Sequence, residues 1–322
     1  MKSVLGIDGG GSKTLVALAN DAGRITRMTR GEGINPLDRR DWREVLDALV
    51  QPFRDLPGLA AVVAALPAHG EVAHLSAAQR EAIATAFGAI PQRVINDVDG
   101  AHLGAFAGGA GILILSGTGS MAWARDAEGR SYRVGGWGDA IGDEGSSHWI
   151  GRHILGRVSQ ALDGRVEPTA LTEALLEFLA ISADPVNGLG SWVARLTDPR
   201  SEIAALAPLA TRLAQAGDGG ALAIVEEAAT ELARHFEPIT RLAGPLPNWS
   251  YAGGTFASRL LLEAVAARVG RQPKPPRLPP IGGALLAAAQ LAGWNTDSAW
   301  IERLSRSLHV ASEGQDQRQL TN

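Results

Sequence analysis

The 322-residue sequence contains no cysteine. That excludes disulfides, thiolate nucleophiles, cysteine-ligated zinc and iron–sulfur clusters. Lysine is scarce: Lys2, Lys13 and Lys274 are the only three, and arginine carries the other positive charges. The net charge is -4, and no basic stripe marks a nucleic-acid partner. No apolar run approaches the roughly 18 residues that span a bilayer. The opening MKSVLGIDGG has no apolar stretch followed by a small-residue cleavage site, so the expectation is a soluble cytoplasmic protein. What is abundant is apolar residues, at 45%, and glycine, at 39 positions. This length and composition suit about two domains with sizeable cores.

The glycines are grouped. Gly6-Ile7-Asp8-Gly9-Gly10-Gly11-Ser12-Lys13-Thr14 follows a short apolar run. Ser3 to Ile7 and Leu15 to Asn20 read as strands joined by this turn, with a third strand at Ile25 to Arg30. Asp41 and Glu44 have the spacing of a capping box, and the residues from Trp42 to Phe53 follow helical spacing. Leu59 to Leu66 reads as a strand, Ser76 to Phe87 as a helix capped by Ser76, and Arg93 to Asn96 as a short strand. A second cycle starts at Gly108: a strand at Gly111 to Leu115, the turn Ser116-Gly117-Thr118-Gly119-Ser120, and strand Met121 to Arg125. Two such cycles suggest two related domains with a cleft between them. Beyond lie a glycine-rich loop (Gly135–Gly145), a helix (Ser146–Leu162) and an Ala/Leu-rich helical region at 168–243. A strand at Trp249–Ala252, a Gly253-Gly254 turn and helices at Ala257–Val269 and Gly282–Ala292 follow. The tail from Glu313 is polar and expected to fray.

Bare backbone lets successive N–H groups approach phosphate oxygens. Gly9, Gly10 and Gly11 give that access, Ser12 adds a hydroxyl and Lys13 a charge. Asp8, at the strand end, is placed to hold magnesium directly or through water. The spacing is neither a P-loop nor a dinucleotide fingerprint. A plain tight hairpin is the alternative, and the second turn has the same two readings. Asp97 and Asp99 lie at a strand end, where an aspartate can take a proton from a substrate hydroxyl or simply cap a helix. The stretch Gly135–Ser146 packs five glycines, three acids and Trp137 into twelve residues. Acids accept from sugar hydroxyls and an indole packs on a pyranose face; a solvated loop capping the next helix is the alternative. His148 and His153, five apart, lack the spacing of a zinc pair.

Taken together, GIDGGGSKT, NDVDGA, LILSGTGS, GGWGDAIGDEGSSHWIG and YAGGTF, in this order from residue 6 to 256, resemble the BadF/BadG/BcrA/BcrD ATPase family. Within it they resemble the N-acetylglucosamine and glucosamine kinases, of the sugar kinase, actin and heat-shock chaperone superfamily. The resemblance implies an α/β fold of two actin-like (ribonuclease H-like) domains closing on ATP and a sugar. It divides the chain into residues 1–108, with a C-terminal helix at about 296–322 packing back, and 109–295 with a helical insertion. It implies Gly9–Lys13 and Gly117, Thr118 and Gly119 as phosphate turns, and Gly253, Gly254 and Thr255 as the adenosine-side loop. Asp97 takes the general-base position, with Asp99 as its rival. Asn35, Asp97, Thr118, Gly136, Trp137 and Asp143 take sugar-side positions, and ATP with Mg²⁺ is implied. Two departures stand out. The cluster-bearing dehydratase activators of this family need cysteines, which are absent. Asp139 stands where an aromatic residue, an apolar residue or histidine is expected.

The expected activity is phosphorylation of the 6-hydroxyl of glucosamine or N-acetylglucosamine. A kinase for N-acetylmuramic acid or a neutral hexose, and an ATPase that drives a partner protein, are the alternatives. A sugar sensor would need an effector segment, and no helix-turn-helix or basic region precedes Ser3. The helices at 168–243 suit either a core or the face of a homodimer.

Overall fold

A computed structural model describes residues 2–319, with side chains described as far as Glu313. The chain forms two compact units: the first comprises the segment ending at Gly111 and the segment from Pro275 onward, the second Ile112–Lys274. This differs from the division at 108 and 295 expected from sequence.

The first unit opens with β1 (Ser3–Gly9), β2 (Lys13–Asn20) and β3 (Ile25–Glu32), then α1 (Trp42–Val50) and β4 (Leu59–Leu66). Helix α2 (Ala73–Phe87), β5 (Gln92–Asn96) and α3 (Asp97–Phe106) complete this segment. The sheet order is β3-β2-β1-β4-β5. β1 runs antiparallel to β2 and parallel to β4, and β4 is parallel to β5. Central strands covered on both faces read as nearly continuous apolar runs, as β1 and β4 do. Leu5 and Ile7 face a core with Trp42, Leu46, Phe53, Ile83 and Phe87. Val4 faces the opposite core. With a side-chain period of two, Asp8 lies on Val4's side of the sheet, at the carboxyl end of β1.

Two expected helix starts are corrected. Asp41 precedes α1 but makes no side-chain cap. Its carboxylate is bound by the fork of Arg39, at 2.8 Å to each oxygen. Helix α2 begins at Ala73, three residues before Ser76. Ser76 Oγ donates to the Val72 carbonyl at 2.9 Å and accepts from Gly70 N–H at 2.8 Å, so it ties the preceding loop down from inside the helix.

The second unit repeats the pattern. β6 (Gly111–Ser116), β7 (Ser120–Arg125), β8 (Ser131–Gly135) and, much later, β9 (Trp249–Ala252) form a sheet in the order β8-β7-β6-β9. This reproduces β3-β2-β1-β4, with β6 and β9 parallel. β8 was not anticipated from sequence. Helix α4 (Ser147–Leu162) is capped by Ser146, whose Oγ accepts from Trp149 N–H. The insertion holds α5 (Ala170–Phe178), α6 (Pro185–Ala194), α7 (Pro199–Ala204), α8 (Ala207–Gln215), α9 (Gly219–Arg234) and α10 (Phe236–Ala243). Leu171, Leu175, Leu206, Leu213, Val225 and Leu232 are buried, so much of its apolar content is core. Helix α11 (Arg259–Val269) packs on α9.

The chain then returns to the first unit. α12 (Pro280–Leu291) packs on α3, β1 and β4, and α13 (Ser298–Gln319) follows. Trp300 Nε1 donates to the Asp21 carbonyl at 3.1 Å, and Ile25 N–H donates to Ser307 Oγ at 2.8 Å. The tail expected to fray from Glu313 remains helical through Gln319; residues 320–322 lie outside the described part. No described helix is long and apolar enough to cross a membrane.

Candidate functional site

Each unit presents one constellation. In the first, the carboxyl ends of parallel strands carry acids, the usual place for ligands in open α/β sheets. Asp8 ends β1. Asn96 ends β5 and caps α3 by accepting from Val98 N–H at 2.9 Å, which sets Asp97 at the first helical position. The Asn96 amide donates to Glu71 Oε1 and to the His69 carbonyl, both at 2.9 Å. A third carboxylate is thereby held near Asp97.

Burial pushes the Asp97 carboxyl up to about 7, and the charges of Glu71 and Asp8 add to the rise. Asp8 is likewise raised to about 7 by burial, opposed by the nearby Lys13 ammonium. The structure thus places Asp8, Glu71 and Asp97 within electrostatic reach of one another. Asp99 is two residues further along α3, and its Oδ1 is buried without a hydrogen-bond partner. Glu71 was not singled out from sequence; it lies in a loop with no motif of its own, and only its tie to Asn96 marks it.

The Gly9–Lys13 turn joins β1 to β2, with Gly9 paired to Thr14. Ile34 N–H donates to the Gly10 carbonyl at 3.0 Å, so the Gly33–Asn35 segment runs beside the turn. Asn35 is buried; its amide donates to Asp38 Oδ2 at 2.6 Å and its oxygen accepts from Leu37 N–H at 3.2 Å. Ser12 and Lys13 are exposed.

In the second unit, Gly117 N–H donates to the Gly119 carbonyl at 2.8 Å and closes the Ser116–Ser120 turn. The start of α4 is tied to it: Ser147 N–H donates to the Gly117 carbonyl at 2.8 Å and His148 N–H to that of Thr118 at 3.4 Å. The positive end of that helix dipole therefore lies against the turn. Ser116 Oγ donates to the Gly145 carbonyl at 3.0 Å and Ser120 Oγ to that of Glu144 at 2.7 Å, which fastens the glycine-rich loop. From the other side Thr255 Oγ1 donates to the Ser116 carbonyl. Gly253 has φ 100°, and a Cβ there would collide with that same carbonyl. Gly254 faces open space. A cavity of about 430 Å³ beside this junction is lined by Ser147, Ala204, Ala207, Thr211, Gly254 and Thr255.

Trp137 is 65% exposed at the tip of the loop, under the Arg133 guanidinium, 5.1 Å from the ring centroid. Gly136 N–H donates to the Ser120 carbonyl at 3.1 Å. Asp143 is buried and accepts from Ser120 N–H at 3.2 Å and from Arg200 Nη2 at 2.8 Å. Sequence reasoning missed Arg200, because nothing local in the Ala/Leu-rich insertion distinguishes it. The larger cavity, of about 610 Å³, lies between α1 and α2 among Arg43, Asp47, Gln51 and Glu81 and includes none of the predicted residues.

Doubled strand–turn–strand units, each with a glycine turn against bare backbone, define an α/β fold of the actin-like ATPase type. Residues 5–288 match the BadF/BadG/BcrA/BcrD ATPase family, and the chain belongs to it. It is similar to the N-acetylmuramic acid/N-acetylglucosamine kinase of Clostridium acetobutylicum, 31% identical over 72% of this chain and 77% of that one. It is 39% identical to the N-acetyl-D-glucosamine kinase of Dictyostelium discoideum over 38% of each chain. A solved structure of a proposed N-acetylglucosamine kinase from Chromobacterium violaceum covers 91% of this chain and 99% of its own, with 26% identity and a TM-score of 0.72.

Proposed function

We propose that this chain is an ATP-dependent sugar kinase that phosphorylates the 6-hydroxyl of an amino sugar, N-acetylglucosamine or glucosamine. The observation that carries the reading is Asp97. It is a carboxylate at a strand end, held near neutrality beside Asp8 and Glu71, in a chain similar to amino-sugar kinases. A base poised near 7 suits proton abstraction from a hydroxyl.

In the reaction, Asp97 takes the 6-hydroxyl proton as the sugar oxygen bonds to the γ-phosphorus. The bond from that phosphorus to the bridging oxygen breaks, and ADP leaves. Such chemistry depends on positioning and charge stabilisation. The turns Gly9–Lys13 and Gly117–Gly119 would serve the phosphates with backbone N–H groups, and Lys13 with its charge. Gly253, Gly254 and Thr255, with the cavity beside them, would take the adenosine side; its size falls in the usual range for small-ligand sites. Asn35, Thr118, Gly136, Trp137 and Asp143 would serve the sugar.

Asp8 fits a magnesium site. It offers a hard oxygen ligand, and burial raises its proton affinity, a penalty on the free charge that a cation offsets. When bound, Mg²⁺ supplies charge neutralisation for the phosphates. A second substrate, N-acetylmuramic acid, is favoured by the dual name of the Clostridium relative. A phosphorus–proton correlation spectrum of the product tests the reading. Coupling of the new phosphate to the protons on carbon 6 supports it, and coupling at carbon 1 or release of free phosphate alone contradicts it.

A further inference from the structure

Asp143 is held in an unusual way. Its backbone is left-handed, with φ 59°, and its side chain is only 4% exposed. After glycine, aspartate is among the residues that take this conformation most readily, and here its carboxylate is anchored as well. The anchors are two donors, Ser120 N–H on Oδ1 and Arg200 Nη2 on Oδ2. Arg200 comes from α7, 57 residues on, and its side chain is 20% exposed. Its Nε lies 3.6 Å from Asp139 Oδ1, beyond hydrogen-bond distance.

The pair is pressed against the second phosphate turn. A Cβ on Gly119 would lie 2.8 Å from Asp143 Oδ2 and 2.9 Å from Arg200 Nη2. The pair therefore leaves little room for a side chain at position 119. Buried ion pairs are weak devices for stability alone, because desolvation offsets the attraction. The carboxylate is fixed by two separate donors, Ser120 N–H on Oδ1 and one guanidinium nitrogen, Arg200 Nη2, on Oδ2, the second a charge-assisted bond. Two hydrogen bonds leave acceptor capacity on the Asp143 oxygens.

We propose that Arg200 is a positioning residue for the acceptor sugar. It fixes Asp143 so that its remaining lone pairs accept a sugar hydroxyl, and it carries the helical insertion into the acceptor site. This rests on the sugar-kinase reading, in which Asp143 faces the sugar. Without Arg200 the carboxylate keeps one backbone donor, on Oδ1, and its orientation is lost.

The test is steady-state kinetics on wild type, Arg200→Ala, Arg200→Lys and Asp139→Asn, varying sugar and ATP separately, with thermal melts alongside. Misplacement of one binding group is worth about tenfold to a hundredfold, so Arg200→Ala is expected to raise KM for the sugar by that factor. KM for ATP should rise several-fold less than KM for the sugar, since Arg200 touches the edge of the phosphate turn but bonds to Asp143. Added guanidinium ion should recover part of the loss. Arg200→Lys should fall between, because its ammonium supplies charge and a donor but not from the position of Nη2. Asp139→Asn removes a charge beside Arg200 without touching its bond to Asp143, so it should cost less than Arg200→Ala. Equal rises in both KM values would overturn the proposal. So would a lowered melting temperature with unchanged KM, which would mark the pair as purely structural. Those outcomes leave the kinase reading intact. Wild-type ATP turnover indifferent to every sugar would overturn both.

Discussion

Asn96 donates its side-chain amide to Glu71 at 2.9 Å while its carbonyl oxygen Oδ1 caps the helix that begins at Asp97. One residue thereby positions the proposed base and a carboxylate that repels it. Replacing Glu71 by Gln removes that repulsion and lowers the Asp97 pKa. The acidic limb of the rate profile should then move to lower pH, with the plateau rate little changed. A limb that stays in place would show that Glu71 does not act on the base.

The wild-type profile has a predicted position. Asp97 must be ionised to accept a proton, and its carboxyl is held at about 7. kcat/KM should therefore fall by about tenfold per pH unit below that point. A profile flat down to pH 5 would contradict the assignment.

The same shift has a stability consequence. An acid whose folded pKa lies above its unfolded value, about 3.9 for aspartate, makes the native state bind more protons. Stability then falls as pH rises from about 4 to about 7 and levels off beyond. Asp97→Asn should remove that loss, so the variant should melt higher than wild type at pH 8 and about level with it at pH 4. A lower melting temperature at pH 8 would mean that the carboxylate is stabilising.

Asp8→Asn should raise the magnesium concentration needed for half-maximal ATP turnover, with the apo protein melting higher at pH 8. An unchanged magnesium titration would remove Asp8 from the metal.

Gly253→Ala tests the junction of the two loops. The added Cβ meets the Ser116 carbonyl in a backbone with φ 100°. Strain of this kind costs about 1–3 kcal/mol, and the collision adds to it. Urea unfolding should show that loss, and nucleotide titration should show weaker ATP binding. Wild-type stability would mean the loop adjusts freely.

Much of this was legible in the sequence because local rules and the fold agree. The strands Leu59–Leu66 and Trp249–Ala252 fall where apolar runs end at turn residues. The glycine turns mark both repeats. The failures are tertiary. Asp41 is drawn from its cap by Arg39, and the start of α2 shifts because Ser76 serves the loop behind it. The Pro275 boundary was missed because α12 is apolar almost throughout, and only packing shows that it covers β1 and α3. Arg200 and Glu71 join the constellations through distant partners, which no local pattern reveals.

The central claim is tested most directly by ADP release from Mg-ATP with glucosamine, N-acetylglucosamine, N-acetylmuramic acid, glucose or no sugar, using wild type, Asp97→Asn and Asp99→Asn. The account predicts strong stimulation by an amino sugar, retained in Asp99→Asn and reduced by about a hundredfold or more in Asp97→Asn. ATP turnover that ignores every sugar, or that survives the loss of Asp97, would contradict it.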